Sequence, residues 1–153
     1  WYRYRICDGP RNPVDQRFSH LQWRKLDLEL MQIASKGLLG RHDFRAFTAE
    51  LEPWIENTFR EMRKIEISRV GKEVRIDIVG TAFMRGMMRR IAGGLMEAGL
   101  GKRSCESLHE LTLKPEKNEL ELPVVLPACG LMLMKVRYGR KIRDIRNEKD
   151  EDE

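Results

Sequence analysis

Residues 64–80 read KIEISRVGKEVRIDIVG, and their pattern constrains the fold more than any other segment. Isoleucine and valine alternate with polar residues on both sides of a central Val70-Gly71-Lys72. Successive side chains of a strand point to opposite faces of a sheet, so this alternation gives each half one apolar face. Glycine between the halves favours a tight turn. The segment predicts an antiparallel hairpin that buries one face.

The first residues, WYRYRI (1–6), alternate in the same way. They predict a strand with Tyr2, Tyr4 and Ile6 on one face and Arg3 and Arg5 on the other. Near the other end, GLMLMKVRYG (130–139) predicts a strand that closes the sheet.

Helices are predicted between these strands. Asp27 is a suitable N-cap for a helix that would end at Gly40. The predicted helices cover about 27–39, 82–98 and 104–111, with 40–47 as a loop. The predicted fold class is α+β, a largely antiparallel sheet with helices packed on one face.

The length of 153 residues suits one domain, predicted over 1–146, followed by an acidic tail at 147–153. The tail, NEKDEDE, has five acids and one lysine. Since the whole chain has a formal charge of +5, the 146 residues before the tail carry +9. Such an excess of lysine and arginine favours polyanionic partners, although many basic proteins bind no nucleic acid.

Cysteine and histidine usage limits the chemistry further. Cys7, Cys105 and Cys129 are too scattered for a disulfide framework or structural zinc, and the three histidines show no ligand spacing. No metal site is therefore expected, and a reduced intracellular compartment fits best, without a choice between cytoplasm, nucleus and organelle. The longest uncharged stretch, 122–134, is too short and too broken by proline and glycine to cross a membrane. The absence of an initial Met leads us to expect a fragment or a processed product.

Residues 81–102, TAFMRGMMRRIAGGLMEAGLGK, are unusual for a core helix. Gly86, Gly93 and Gly94 fall near one face, where bare backbone would allow another segment to approach closely. Packing against a strand is the favoured interpretation. Arg85 and Arg89 are expected one helical turn apart, with Arg89 at the border of the apolar stripe. An arginine at such a border is often held by a carboxylate or a phosphate, but the pattern alone leaves this open.

Five segments occur in the order found in a known family. They are YRYRI (2–6), GLLGRHDFRAF (37–47), NTFREM (57–62), FMRGMMRRIAGGLMEAGLGK (83–102) and PACGLMLMKVRY (127–138). Together they resemble the C-terminal half of the TruA family of tRNA pseudouridine synthases. The glycine-rich helix motif and the G-x-H-D-F loop are specific only in combination.

The resemblance implies an activity that the composition does not. Members of the family isomerise a uridine in RNA by breaking its N-glycosidic bond and rejoining the base through carbon. An aspartate is the nucleophile, and no cofactor or metal is required. By motif, Tyr2 matches the tyrosine that stacks on the uracil, and Arg89 matches the arginine that pairs with the aspartate. The target base must leave its stack, so a basic groove with aromatic walls is needed.

The resemblance also implies RNA contacts and partners. Expected contacts with tRNA are Arg3, Arg5, Arg85, Arg90 and Lys102. His42 is either an RNA contact or a packing residue of its loop, and packing is favoured. A homodimer is implied because family members are commonly dimers.

One element of the family pattern is missing. The nucleophilic aspartate belongs to an N-terminal motif resembling G-R-T-D-A-G-V-H-A, which does not occur in residues 1–153. Asp43 is expected to organise its own loop instead. We therefore expect this chain alone to be inactive and the nucleophile to lie in a missing N-terminal half. The alternative is a non-catalytic RNA-binding or assembly protein that retains only this half of the fold. An unrelated enzyme acting on an acidic small molecule has little support, because no phosphate-binding glycine loop or metal cluster is present.

Overall fold

Six strands form one sheet, and alternating apolar side chains mark its three longest strands. The computed structural model describes residues 1–10, 17–48, 51, 53–114 and 122–138. The predicted tail lies outside these residues. The strands are β1 (Tyr2–Cys7), β2 (His20–Leu21), β3 (Gly40–Asp43), β4 (Phe59–Val70), β5 (Glu73–Gly80) and β6 (Leu131–Leu133). The helices are α1 (Leu28–Lys36), α2 (Met87–Gly99) and α3 (Ser107–Leu113).

Strand β1 organises the sheet, whose order is β2-β1-β5-β4-β3 with β6 also paired to β1. Every residue of β1 pairs with a residue of β5, from Tyr2 opposite Ile78 to Cys7 opposite Glu73. The other edge of β1 is shared by β6 at Tyr2–Tyr4 and by β2 at Ile6 and Cys7. Only the β1–β2 pairing is parallel among the described strands. The largely antiparallel α+β fold is therefore confirmed, and so is the closing strand, which is shorter than predicted.

The hairpin is also confirmed. Strands β4 and β5 pair from Val70 opposite Glu73 outward, and Gly71 in the turn has φ 61°. That left-handed conformation is one that glycine adopts without steric cost. Residues Val74, Ile76 and Ile78 are fully buried against the helices.

Helix α2 begins five residues later than predicted. Gly86 has φ 72° and precedes the first helical residue, Met87. A left-handed residue interrupts a right-handed helix. The predicted start near residue 82 is therefore wrong. Arg85 lies outside the helix, and it is not one helical turn before Arg89.

The bounds of the other helices also differ from the predictions. Asp27 caps α1 as expected, its Oδ1 accepting hydrogen bonds from the amides of Glu29 and Leu30. The helix ends at Gly37 rather than at Gly40, and α3 lies a few residues beyond its predicted position. The predicted loop at 40–47 contains β3 and a 3-10 turn at Arg45–Phe47. Pairing with β4 extends residues that carry no strand pattern of their own.

Two glycines of α2 let residues 122–126 cross the helix in close contact. A Cβ at Gly93 would lie 1.8 Å from the carbonyl oxygen of Val124. At Gly94 it would lie 2.6 Å from the Cδ2 of Leu108 and 3.2 Å from Pro123. The close approach expected from the glycines is present, but the segment against the helix is not a strand.

We expect Gly93→Ala to lower the free energy of unfolding by about 3 kcal/mol, since the clash is with backbone that cannot rotate away. Urea denaturation measures this change. The control is Gly9→Ala, because the nearest atoms there belong to the flexible Lys72 side chain at 3.2 Å. Its expected effect is below about 1 kcal/mol. A gain of stability at residue 93, as at an open helix position, would contradict the packing described.

A buried ion pair joins the end of β1 to β4. The Asp8 side chain is 2% exposed, and both of its oxygens accept from Arg69, at 2.6 and 2.7 Å. The amide of Leu26 donates to the same carboxylate at 2.9 Å. Burial by itself raises the pKa of Asp8, but the hydrogen bonds from Arg69 and Leu26 outweigh it and hold the pKa below its usual range.

Because the folded pKa of Asp8 lies below the unfolded value of about 3.9, its carboxylate stabilises the fold above that pH. This contribution is lost as the pH falls through the folded pKa. We expect Asp8→Asn to cost about 3–5 kcal/mol at neutral pH, and less in strong acid, because Arg69 loses its partner. Urea denaturation at several pH values measures it. Asp27→Asn is the matched control, since asparagine caps a helix equally well. A cost for Asp8→Asn that does not change with pH would rule out the carboxylate as its source.

Candidate functional site

Tyr2 lies at the start of β1, on the face of the sheet that carries the core. Its half-buried ring meets Phe83 edge to face, with ring centroids 4.9 Å apart and an angle of 76°. Gly80 leaves room for Phe83, because a Cβ there would lie 3.1 Å from the Cζ of that ring. Edge-to-face contact holds an aromatic ring in one orientation. Phe83 was expected within a helix, and its role beside Tyr2 was not predicted.

Arg89 lies in the first turn of α2 and is half buried. Its Nε donates to the carbonyl oxygen of Leu126 at 2.6 Å, and the amide of Leu126 donates back to the Arg89 carbonyl at 3.3 Å. Within the described residues, this is the only hydrogen bond that the Arg89 side chain makes. The bond fixes the plane of the guanidinium while its two Nη groups keep their donors. Such a fork can bind a carboxylate or a phosphate through two hydrogen bonds.

Tyr4 binds the residue next to the one that binds Arg89. It is fully buried, as expected from the alternation of β1, and its hydroxyl donates to the carbonyl oxygen of Pro127 at 2.5 Å. Burial raises the pKa of Tyr4, the nearby Cys129 adds to the rise, and the positive charge of Arg89 opposes it. The sequence could have indicated a partner for this hydroxyl, since a buried tyrosine nearly always has one, but not which residue supplies it.

Tyr2 and Arg89 therefore lie on adjoining elements without a direct bond in the described structure. Tyr2 contacts Phe83, which immediately precedes the turn into α2. Arg89 donates to the carbonyl of Leu126, one residue before the Pro127 carbonyl that Tyr4 binds. The fold thus places Tyr2 beside the segment that leads into α2 and Arg89 in the first turn of that helix, and their roles in a site stay predictions.

Two predicted RNA contacts lie on the opposite face of β1 and bind acids there. The Nε of Arg3 donates to Asp77 at 2.8 Å, and Arg5 binds Glu73 through two hydrogen bonds of 2.6 Å. Arg75 also donates to Glu73, at 2.8 Å. These cross-strand partners were missed, although the hairpin pattern places acids on that face. The RNA-contact role of Arg3 and Arg5 stays a prediction.

Three other predicted contacts lie near α2. Arg90 donates from Nη1 to the carbonyl of Ala46 at 3.2 Å, and its buried Nε has no hydrogen-bond partner among the described residues. Burial lowers the pKa of Arg90. Arg85 is exposed and Lys102 is exposed after the left-handed Gly101. Their contacts with RNA stay predictions as well.

His42 and Asp43 bind within their own region. The Nε2 of His42 lies 2.6 Å from the carbonyl of Leu39, and its ring packs 5.5 Å from that of His109. Asp43 accepts hydrogen bonds from the amide of Arg45 at 3.0 Å and the hydroxyl of Thr58 at 2.6 Å. Asp43 organises its loop as expected, and these contacts of His42 agree with the packing interpretation.

No group of three or more potential metal ligands occurs in the described ranges. None of the helices found there has the length and apolar character needed to span a bilayer.

The raised pKa of Tyr4 predicts how this residue titrates. Burying the neutral phenol stabilises the fold below about pH 10, the unfolded value, and this contribution is lost as the pH rises through the folded pKa. We expect Tyr4→Phe to leave the phenolate absorbance rise between about pH 9 and 11 unchanged. A loss of amplitude in Tyr4→Phe under folded conditions would contradict the burial of its hydroxyl.

Comparisons with known proteins identify the family that this chain resembles in sequence. Residues 34–139 match a family model described as tRNA pseudouridine synthase. Proteins named tRNA pseudouridine synthase A are similar over most of this chain. The one from Pelobacter propionicus is 37% identical over 139 residues, which is 90% of this chain and 56% of that protein. The one from Lactobacillus delbrueckii subsp. bulgaricus is 36% identical over 153 residues, 98% of this chain and 57% of that protein.

A third relative, from Thermus thermophilus, is 39% identical over 139 residues, covering 90% of this chain and 54% of that protein. The chain therefore spans little more than half the length of these relatives. The family match, in contrast, extends over more than half of the chain and includes both α2 and the segment that binds Arg89. The chain belongs to the tRNA pseudouridine synthase family.

Proposed function

We propose that this chain forms one side of the active site of an enzyme that converts uridine to pseudouridine in tRNA. The observation that supports this most is the Arg89 guanidinium, held through Nε by the Leu126 carbonyl at 2.6 Å while its two Nη groups make no hydrogen bond to the described residues. In the proposed enzyme these groups bind the nucleophilic aspartate through two hydrogen bonds. A guanidinium within hydrogen-bonding distance of a carboxylate keeps it ionised, and the paired bonds orient it.

In this proposal the nucleophile comes from outside residues 1–153. None of the aspartates here occurs in the family motif, and the four with described structural roles, Asp8, Asp27, Asp43 and Asp77, are engaged elsewhere. We propose that an N-terminal part of the protein supplies the aspartate, as the length of the relatives suggests.

Tyr2 is proposed as the wall on which the target uracil stacks. Its ring is braced by Phe83 and only half buried, so one side of it remains accessible. An enzyme that reacts at a base within RNA must extrude that base and receive it in a pocket with stacking side chains. The Tyr2 hydroxyl could also assist the removal of a proton from the base.

The basic body of the chain supports tRNA as the substrate, since phosphate contacts dominate affinity for nucleic acid. Arg85 and Lys102 are the predicted contacts that the fold leaves exposed. Arg90 and His42 already bind backbone carbonyls. Their contacts with RNA would therefore come in addition to these hydrogen bonds or in exchange for them. A cofactor-free reaction, a homodimer and a place inside the cell with tRNA belong to the same proposal.

The test uses the protein at its natural length and tRNA labelled with tritium at uracil C5, because pseudouridine formation releases that label. We expect Arg89→Lys to lower kcat about 10²-fold, since lysine cannot form the paired bonds that orient the carboxylate. Arg75→Lys is the matched control, because Arg75 binds Glu73 on the opposite face of the sheet. It should leave turnover unchanged.

Two outcomes would contradict the proposal. Normal turnover in a folded Arg89→Lys protein would remove Arg89 from the site. A natural-length protein that binds tRNA but releases no tritium from any uridine would favour the alternative, a non-catalytic RNA-binding or assembly protein.

A further inference from the structure

Tyr4 is a buried polar residue to which neither the family match nor the resemblance gives a role. Its hydroxyl donates to the Pro127 carbonyl, and Arg89 Nε donates to the Leu126 carbonyl one peptide earlier. The two donors thus bind successive carbonyl oxygens of one short segment. That segment has no helix or strand of its own at these residues, so its position depends on such bonds.

Tyr4 also fixes the residues that follow Pro127. A Cβ at Gly130 would lie 2.7 Å from the Cζ of Tyr4 and 2.8 Å from the carbonyl of Arg5, so the 3-10 turn at Ala128–Gly130 rests directly on this ring. Leu131 then pairs with Tyr4 across the β1–β6 ladder. The segment is therefore bound to one residue by hydroxyl, ring and backbone.

The hydroxyl remains a donor over a wide range of pH, because burial raises the pKa of Tyr4. The positive charge of Arg89 opposes this rise. Because the two donors bind successive carbonyl oxygens, a change in one of these hydrogen bonds reaches the other through the residues that carry them.

We propose that Tyr4 is a positioning residue that sets the direction of the Arg89 guanidinium through the Leu126 and Pro127 carbonyls. This inference rests on the proposed function for its effect on turnover, but its structural content does not. Without the Tyr4 hydroxyl, the Pro127 carbonyl loses its donor and the peptide can rotate. The Leu126 carbonyl then moves relative to Arg89 Nε, and the guanidinium no longer presents its Nη groups in one fixed direction.

The first measurement is structural and uses the natural-length protein. The Arg89 Nε–H resonance is assigned by its loss in Arg89→Lys, and its exchange with solvent is followed by NMR. We expect Tyr4→Phe, which keeps the ring, to speed this exchange about tenfold or more. Thr112→Val is the matched control, because it removes another buried hydroxyl that donates to a backbone carbonyl, that of His109 at 2.6 Å. Exchange at Arg89 should not change in that control.

The second measurement is catalytic. Tyr4→Phe should lower kcat about tenfold with KM for tRNA unchanged, as the loss of one hydrogen bond predicts. In an Arg89→Lys background it should lower kcat by less than about twofold, because two residues that act through one group are not additive. A merely structural role would reduce the free energy of unfolding equally in both backgrounds but would not give this non-additivity.

The outcomes separate the two proposals. Unchanged exchange of Arg89 Nε–H in Tyr4→Phe overturns the positioning role whether or not the protein is an enzyme. So does a loss of kcat that is fully additive with Arg89→Lys. Absence of tritium release from the unaltered protein overturns the proposed function, while the exchange measurement still decides the role of Tyr4.

Discussion

The passage of residues 122–127 across bare helix backbone is the constraint on which the rest of this structure depends. Gly93 allows the Val124 carbonyl to approach α2 more closely than any side chain would permit. Directly after that crossing, the chain presents the carbonyls of Leu126 and Pro127 to Arg89 and Tyr4. It then returns to pair with β1 as strand β6. One short, irregular segment thus approaches the helix, orients the arginine and leads into the strand that closes the sheet.

The two faces of the sheet carry different kinds of interaction. On the core face, Tyr2 and Tyr4 meet an aromatic ring and a carbonyl near α2. On the opposite face, Arg3 and Arg5 bind acids of β5 at 2.8 and 2.6 Å. Ion pairs that are only partly exposed hold their side chains more firmly than exposed pairs do. An RNA phosphate that used these arginines would have to compete with carboxylates already in place.

The elements that could be predicted from the sequence are those whose pattern is local. The hairpin and β1 follow from alternation with a period of two, and the start of α1 follows from the capping ability of Asp27. The start of α2 could not be found in this way. Apolar residues continue at helical spacing through Phe83 and Met84, and the positive φ of Gly86 leaves no mark on that pattern. Residues 40–43 likewise become a strand through pairing with β4, and no local pattern in the sequence predicts that pairing.

The residues of the candidate site also differ in whether the sequence could identify them. Tyr2 and Arg89 were singled out by resemblance, because no spacing rule connects a strand residue with a helix residue so far along the chain. The bond of Tyr4 to Pro127 joins residues 123 positions apart and becomes visible only in the fold.

The bonds that orient Arg89 have a consequence for how this segment can vary. Leu126 and Pro127 bind through main-chain oxygens, which every amino acid possesses. Exchange of one side chain for another at these two positions therefore preserves both acceptors, provided the path of the backbone is kept. An insertion or deletion between the crossing at Val124 and the turn at Gly130 would instead displace both oxygens together. The length of this segment, more than its composition, is what the arginine depends on.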